Sequence, residues 1–114
     1  MKSHIEVCIL ERPSEGNIGS FTVFEWDENK NRANQKKHDL SFEEAQYAFA
    51  DPKRVIARDL EHGESEERCY CFGKVGERVV TVRLTYRNEK MRIIGAGYWR
   101  KGKQIYEKEN KIHK

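Results

Sequence analysis

Four arginines in the second half of the chain carry the side chain best suited to holding a phosphate. They are Arg68, Arg83, Arg87 and Arg92. A planar guanidinium donates two parallel hydrogen bonds to phosphate oxygens and stabilises negative charge that develops on them. Arg87 and Arg92 flank one predicted turn, where they could converge on a single phosphate. Alternatively, these two are surface charges, and Arg68 forms a structural ion pair with its neighbour Glu67.

Two histidines are the natural candidates for moving protons at such a phosphate. An unperturbed imidazole titrates near pH 6.5, so His38 and His62 can each act as an acid or a base near neutral pH. Glu67 adds a carboxylate beside the first of the arginines. Each histidine could instead be a helix cap or a hydrogen-bonding residue of a loop.

One face of a predicted helix could line a track for a phosphate backbone. Lys30, Asn34 and Lys37 are spaced at i, i+4 and i+7, so they share that face. A solvated helix face is an equally good interpretation of the same spacing.

Aromatic and basic residues alternate near the C-terminus in a way that suits single-stranded nucleic acid. Bases can stack on the aromatic rings while the cations hold the backbone. The residues concerned are Tyr98, Trp99, Arg100 and Lys101. The aromatic residues could instead pack between the sheet and the last helix.

The cysteines do not predict a metal site. Cys69 and Cys71 would place both thiols on one face of a strand, but a zinc site needs four ligands and only His62 is near in sequence. Together with Cys8 they make an odd number, which fits a reducing compartment better than a disulfide scaffold. We therefore expect core or surface thiols in a cytoplasmic protein.

The first half of the chain predicts one strand and two helices. Phe21–Trp26 is rich in aromatic and β-branched residues, as strands are. A polar helix follows over Glu28–Lys37, and its only apolar residue is Ala33. Such a helix can pack on the rest of the domain only over a narrow area. Ser41–Glu44 is a capping box that begins a second helix, which ends at Asp51 before a proline.

The second half predicts a sheet and a short final helix. Four strands separated by short gaps favour an antiparallel meander. They span about Arg54–Leu60, Arg68–Lys74, Arg78–Tyr86 and Met91–Tyr98. In the third of these strands Val80, Val82 and Leu84 would face the core, leaving Val79 on the opposite side. Lys101–Lys111 predicts a short basic helix.

Length and charge indicate one small domain with a polarised surface. The 114 residues suffice for a single core, and no apolar run reaches the roughly 18 residues of a membrane helix. Residues 83–114 hold ten Lys and Arg against three Glu, a net +7, whereas residues 1–82 carry twelve against sixteen acidic residues, a net −4. Such polarity suggests a basic surface for phosphate or an acidic partner. Residues 1–20 are an extension, either an extra strand or disordered, before a domain over residues 21–112.

Ordered motifs give the chain a resemblance to a known family. The first group is Phe24-Glu25-Trp26-Asp27, Lys30, Asn34, Lys37-His38 and Phe42-Glu43-Glu44-Ala45. The second group is Asp51-Pro52, His62, Glu67-Arg68, Gly73 and Arg92-Ile93-Ile94. In order and spacing these residues resemble the BrnT toxins, over about residues 21–110.

The resemblance implies both a fold and a function. The fold is α+β and RelE-like, with an N-terminal strand, two helices, a mostly antiparallel four-stranded meander and a short C-terminal helix. The activity is that of a cofactor-free endoribonuclease toxin that blocks translation, within a type II toxin–antitoxin pair. Its partners are RNA and a ribbon–helix–helix antitoxin of the BrnA type, and it contacts operator DNA only through that antitoxin. The oligomeric state is either a homodimer or a heterotetramer with the antitoxin.

One departure from the family pattern bears on catalysis. Where related chains read R-I-I-S-A-R, this chain continues from Arg92 with Gly95 in place of Ser and Gly97 in place of the second Arg. If that arginine contacts the scissile phosphate, the chain is a catalytically impaired module that binds the antitoxin and serves in operon autoregulation. Arg100, close by in sequence, could replace it.

Overall fold

The computed structural model describes residues 7–11, 24–60, 67–87 and 90–111. These residues form six strands, three α-helices and one 3₁₀ turn. In chain order they are β1 (Val7–Glu11), β2 (Phe24–Trp26), α1 (Glu28–His38), α2 (Phe42–Ala45), the 3₁₀ turn Gln46–Ala50, β3 (Val55–Asp59), β4 (Arg68–Val75), β5 (Arg78–Arg87), β6 (Lys90–Gly97) and α3 (Arg100–Glu109). The α+β class predicted from the sequence is confirmed.

The described strands form one mixed sheet in the order β1-β3-β4-β5-β6-β2. The meander β3 to β6 is antiparallel throughout, and β1 adds to its outer edge antiparallel to β3. At the other edge β2 runs parallel to β6, with Phe24 opposite Met91 and Trp26 opposite Ile93. The predicted order of elements is therefore only roughly right, since the sheet is mixed and has a strand at each edge beyond the meander.

Helix α1 matches its predicted range, but its buried contact is polar. Asp27 caps the helix by accepting hydrogen bonds from the backbone N–H groups of Asn29 and Lys30. Ala33, the expected contact, is exposed, whereas Asn31 is 1% exposed. A helix without an apolar stripe is thus held through a side-chain amide.

The second helix is shorter than predicted. Its capping box is present, because Ser41 and Glu44 each accept a hydrogen bond from the other's backbone N–H. After Ala45, however, the chain tightens into the 3₁₀ turn. A Cβ on Gly73 of β4 would collide with the carbonyl oxygen of Ala48, so this turn packs with its backbone directly on the sheet. That close approach leaves no room for a wider α-helical turn.

Both faces of the sheet are covered. On one face α1, α2 and the 3₁₀ turn cover a core that includes Phe42, Val80 and Val82. On the other face α3 covers a core that includes Phe72 and Val79. Val79 does lie on the opposite side, as predicted, but beneath a helix. Within the described ranges, no helix combines the length and apolar character needed to cross a membrane.

The loop before β3 holds α3 against the sheet through Asp51. Its Oδ2 atom accepts hydrogen bonds from the Tyr106 hydroxyl at 2.6 Å and from the Lys74 backbone N–H at 2.8 Å. Tyr106 is 1% exposed. Burial and the Asp51 carboxylate raise the pKa of its phenol well above the ordinary value of 10.0.

Tyr106→Phe tests this link between α3 and the loop. The ring still packs, but a buried hydrogen bond to a charged group is lost, so the free energy of unfolding falls by about 1–2 kcal/mol in urea titrations. The raised folded-state pKa means that wild-type stability is retained below about pH 10 and declines above it. Tyr106→Phe therefore loses less stability than wild type between pH 9 and pH 11. Tyr47→Phe, at a 62% exposed tyrosine, is the matched control and changes neither quantity.

Candidate functional site

A cavity of about 290 Å³ opens where α1, the end of β6 and the start of α3 meet. Alternate residues of β5 point to opposite faces of the sheet, and Val80 and Val82 belong to the core under α1 and α2. Thr81 and Arg83 therefore place the cavity on the other face, which α3 partly covers. The lining residues are Asn34, His38, Tyr70, Thr81, Arg83, Ala96, Gly97, Tyr98 and Trp99. Five of them, Asn34, His38, Arg83, Tyr98 and Trp99, are among the residues that the sequence singles out.

Asn34 holds α1 against the edge of β6. Strand β2 pairs with β6 only as far as Ile93, and beyond that residue the side chain of Asn34 takes the place of a strand. Its Oδ1 atom accepts the Ala96 backbone N–H at 3.3 Å, and its Nδ2 group donates to the Leu40 carbonyl at 3.0 Å. The C-terminal end of α1 is therefore fixed beside the last residues of β6.

That placement brings His38 over Gly97. A Cβ on Gly97 would lie 3.7 Å from His38 Nδ1, an ordinary contact distance. The imidazole thus faces a space that glycine leaves open in the cavity wall. His38 is itself exposed, as a group that exchanges protons with a ligand must be.

Aromatic residues form the wall between this cavity and a second one. The ring of Trp99 lies 5.6 Å from that of Tyr70, and the Arg78 guanidinium stacks 3.5 Å over the ring of Tyr98. Tyr98 and Trp99 also line the second cavity, of about 600 Å³. Its charged lining is mixed, since Lys74, Arg78, Arg100 and Lys103 lie there together with Glu77 and Glu107, and Lys103 pairs with Glu107 at 3.2 Å. Trp99 also packs in the α3 core.

The four arginines named first share one sheet face. Arg68 and Arg92 are both opposite Thr85, and Arg83 and Arg87 are two residues from Thr85 on either side. This is the face of the cavity, beyond the part that α3 covers. A basic surface therefore adjoins the cavity, as the charge distribution suggested.

The arginines of this face differ in their ion-pair and hydrogen-bond partners. Arg92 pairs with Glu25 of β2 at 3.4 Å, and both side chains are about one third exposed. Glu67 pairs with Arg58 at 3.4 Å rather than with Arg68. The Nε atom of Arg68 is buried and has no hydrogen-bond partner among the described residues.

Other predicted site residues lie apart from the cavity. Lys30 and Lys37 are exposed on α1, and Lys101 is half-buried on α3 without lining either cavity. Arg100 borders only the second cavity. His62 lies outside the described residues.

Cys69 and Cys71 lie on the face that α1, α2 and the 3₁₀ turn cover. Cys71 is fully buried in that core and Cys69 packs against it. Burial, followed by the nearby Glu67 carboxylate, raises the pKa of the Cys69 thiol, which makes it a poor nucleophile or metal ligand. Within the part of the chain that the structure describes, no three His, Cys, Asp or Glu side chains are grouped to hold a metal.

Sequence reasoning missed Tyr70 and Thr81 as cavity residues. Both are buried on β4 and β5, and Thr81 Oγ1 has no hydrogen-bond partner among the described atoms. The signal available in the sequence was the pair Gly95 and Gly97 within one strand, since a glycine in a strand often marks a place where a ligand approaches closely. That Thr81 lies opposite Gly97 follows only from the register of the sheet.

Asn34→Ala tests how α1 is fixed. It leaves the Ala96 N–H and the Leu40 carbonyl without their partner, so we expect a loss of about 1–3 kcal/mol in the free energy of unfolding, measured by urea titration. Hydrogen exchange at Ala96 should also accelerate. Asn29→Ala, on the exposed first turn of the same helix, is the control and should cost far less.

Comparison with known families gives one match. The family model described as "Ribonuclease toxin, BrnT, of type II toxin-antitoxin system" matches residues 26–102, from the last residue of β2 to the start of α3. A search of curated proteins gives no significant match. The match spans more than half of the chain and contains every residue that lines the 290 Å³ cavity. The chain therefore belongs to the BrnT family, the ribonuclease toxins of type II toxin–antitoxin systems.

Proposed function

We propose that the 290 Å³ cavity is where this toxin cleaves RNA, by a metal-independent attack of the ribose 2′-hydroxyl on the adjacent phosphorus. The observation that carries the proposal is the placement of the His38 imidazole against the open space at Gly97. An imidazole, the side chain that most often acts as a general acid or base, thus faces a cavity near the lower end of the usual size for small ligands, roughly 300–1,000 Å³. One nucleotide unit suits that space.

For this reaction the protein must transfer protons and stabilise the negative charge that develops on the phosphate. His38 removes the 2′-hydroxyl proton as the 2′ oxygen bonds to phosphorus. The bond from phosphorus to the 5′ oxygen breaks, and that oxygen takes a proton from water at the open side of the cavity. The products are a 2′,3′-cyclic phosphate and a 5′-hydroxyl end.

The surroundings suit the binding of a single strand. Tyr98 and Trp99 separate the cavity from the larger one, so a strand that crosses them would place one base against the rings. Lys74, Arg78 and Arg100 would then hold the neighbouring phosphates. Cleavage of messenger RNA by such a site would inhibit translation in the cytoplasm.

A type II toxin is paired with an antitoxin, and here we propose a ribbon–helix–helix protein of the BrnA type. The net +7 of residues 83–114 suits an acidic segment of such a partner. Operator DNA would then be bound through the antitoxin alone. Co-expression with the adjacent reading frame should yield a stable complex that binds the operator, and recovery of the toxin alone would contradict this pairing.

His38→Gln tests the catalytic role. We expect RNA cleavage to fall about 10²- to 10⁴-fold while the urea midpoint stays unchanged, since the side chain is exposed and glutamine cannot act as a base. Cleavage by wild type should persist in EDTA and leave 2′,3′-cyclic phosphate ends. His62→Gln is the matched control, because sequence alone ranks the two histidines equally. Full loss with His62→Gln and none with His38→Gln would reject the assignment.

The rival account is an antitoxin-binding module whose catalysis was lost with the arginine at position 97. Gly97 has room for a side chain beside His38, so Gly97→Arg can be accommodated. Intact RNA with wild type and cleavage with Gly97→Arg would favour the rival. Cleavage by wild type, without a gain in Gly97→Arg, would favour the active toxin.

A further inference from the structure

Arg83 lies at the boundary of two cavities on the arginine-bearing face. Together with His38 it lines the 290 Å³ cavity, and together with Arg68 it lines a smaller one of about 90 Å³. Its side chain remains exposed, so a ligand in the larger cavity can reach the guanidinium. The described ion pairs with carboxylates involve Arg58 and Arg92 on this sheet, not Arg83.

Gly95 decides where that guanidinium lies. Arg83 and Gly95 are directly paired across β5 and β6, so side chains at both positions would occupy the same face. A Cβ on Gly95 would collide with Arg83 Nη2 and lie 2.9 Å from both Cζ and Nε. The guanidinium therefore fills the volume that any side chain at position 95 would need, and in doing so it buries Gly95.

Gly97, two residues further along the same face, has the opposite surroundings. A Cβ there meets only His38, at 3.7 Å or more, and otherwise enters the open cavity. Arg83 and His38 thus line one open cavity. A cation and an imidazole in the wall of the same cavity suit the binding and cleavage of a phosphodiester.

We propose that Gly95 seats Arg83 as the residue that contacts the scissile phosphate and stabilises its developing charge. Arg83 would thereby serve in place of an arginine at position 97. The two glycines have separate roles in this arrangement, since Gly95 makes room for the guanidinium and Gly97 makes room for the substrate. The inference rests on the proposed ribonuclease site, and it adds the positioning of the cation by a glycine on the neighbouring strand.

Cleavage assays on Arg83→Gln and Gly95→Ala, alone and combined, test the positioning. Arg83→Gln should lower cleavage about 10²- to 10³-fold, as loss of a charge-stabilising donor does. Gly95→Ala should lower it about 10- to 100-fold by displacing the guanidinium. Gly95→Ala combined with Arg83→Gln should be no worse than Arg83→Gln alone, because both remove the same interaction. Arg32→Gln, at an exposed arginine of α1, is the control for charge.

Binding assays provide a readout that does not depend on cleavage. A fluorescent 2′-O-methyl oligonucleotide, which lacks the attacking hydroxyl, is titrated at several salt concentrations and followed by anisotropy. Arg83→Gln should weaken binding and reduce the slope of log affinity against log salt by about 0.7, the value for one phosphate contact to a single strand. Gly95→Ala should shift the slope in the same direction, and Arg32→Gln should not.

The cleavage and binding assays together distinguish a failure of this inference from a failure of the ribonuclease proposal. An unchanged salt slope and normal cleavage with Arg83→Gln overturn the role of Arg83, even where His38→Gln is inactive. Additive losses of cleavage in the variant that combines Gly95→Ala with Arg83→Gln overturn the positioning by Gly95. A wild type that leaves RNA intact contradicts the ribonuclease site, whereas the reduced slope with Arg83→Gln would still support its phosphate contact.

Discussion

The attachment of α1 through two asparagine side chains is the interaction on which the site depends. Asn31 is buried, where its Oδ1 accepts the Phe42 backbone N–H at 2.8 Å and its Nδ2 donates to Glu43 at 2.9 Å. Asn34 joins the same helix to Ala96 and Leu40. Because α1 has no apolar stripe, hydrophobic burial cannot fix its rotation or its position along the sheet. Directional hydrogen bonds do so instead, and His38 at the end of the helix is placed as a result.

The edge of the sheet creates the need for that attachment. Strand β2 contributes three paired residues and ends beside Ile93, so the following residues of β6 pair with β5 on one side and have no described strand on the other. At this point β6 also carries a bulge, since Arg83 pairs with Gly95 but Leu84 pairs with Ile93. A bulge bends a strand and redirects its side chains, and such irregularities are frequent beside active sites. Here the bulge and the open edge occur at the cavity.

Three glycines of this domain leave room for another group that lies where a Cβ would be. Gly73 admits the carbonyl of Ala48, Gly102 admits the hydroxyl of Thr81, and Gly95 admits the guanidinium of Arg83. The first two let a 3₁₀ turn and α3 rest their backbones on opposite faces of the sheet. The third gives space to a cation rather than to a structural element. The same physical device, a missing Cβ, therefore serves packing in two places and the candidate site in one.

The sequence by itself determined the elements and the kind of chemistry. Local signals such as the Ser41–Glu44 capping box, the Asp27 cap and the alternation in β5 depend on neighbours within a few residues, so they were readable without a fold. The types of charged residue likewise indicated phosphate binding and proton transfer. Tertiary structure alone decided that His38 meets Gly97, that Arg92 pairs with Glu25, and that Arg83 lies over Gly95. These contacts join residues 12 to 67 positions apart, and their geometry depends on strand register, a bulge and layer spacing, which no local pattern encodes.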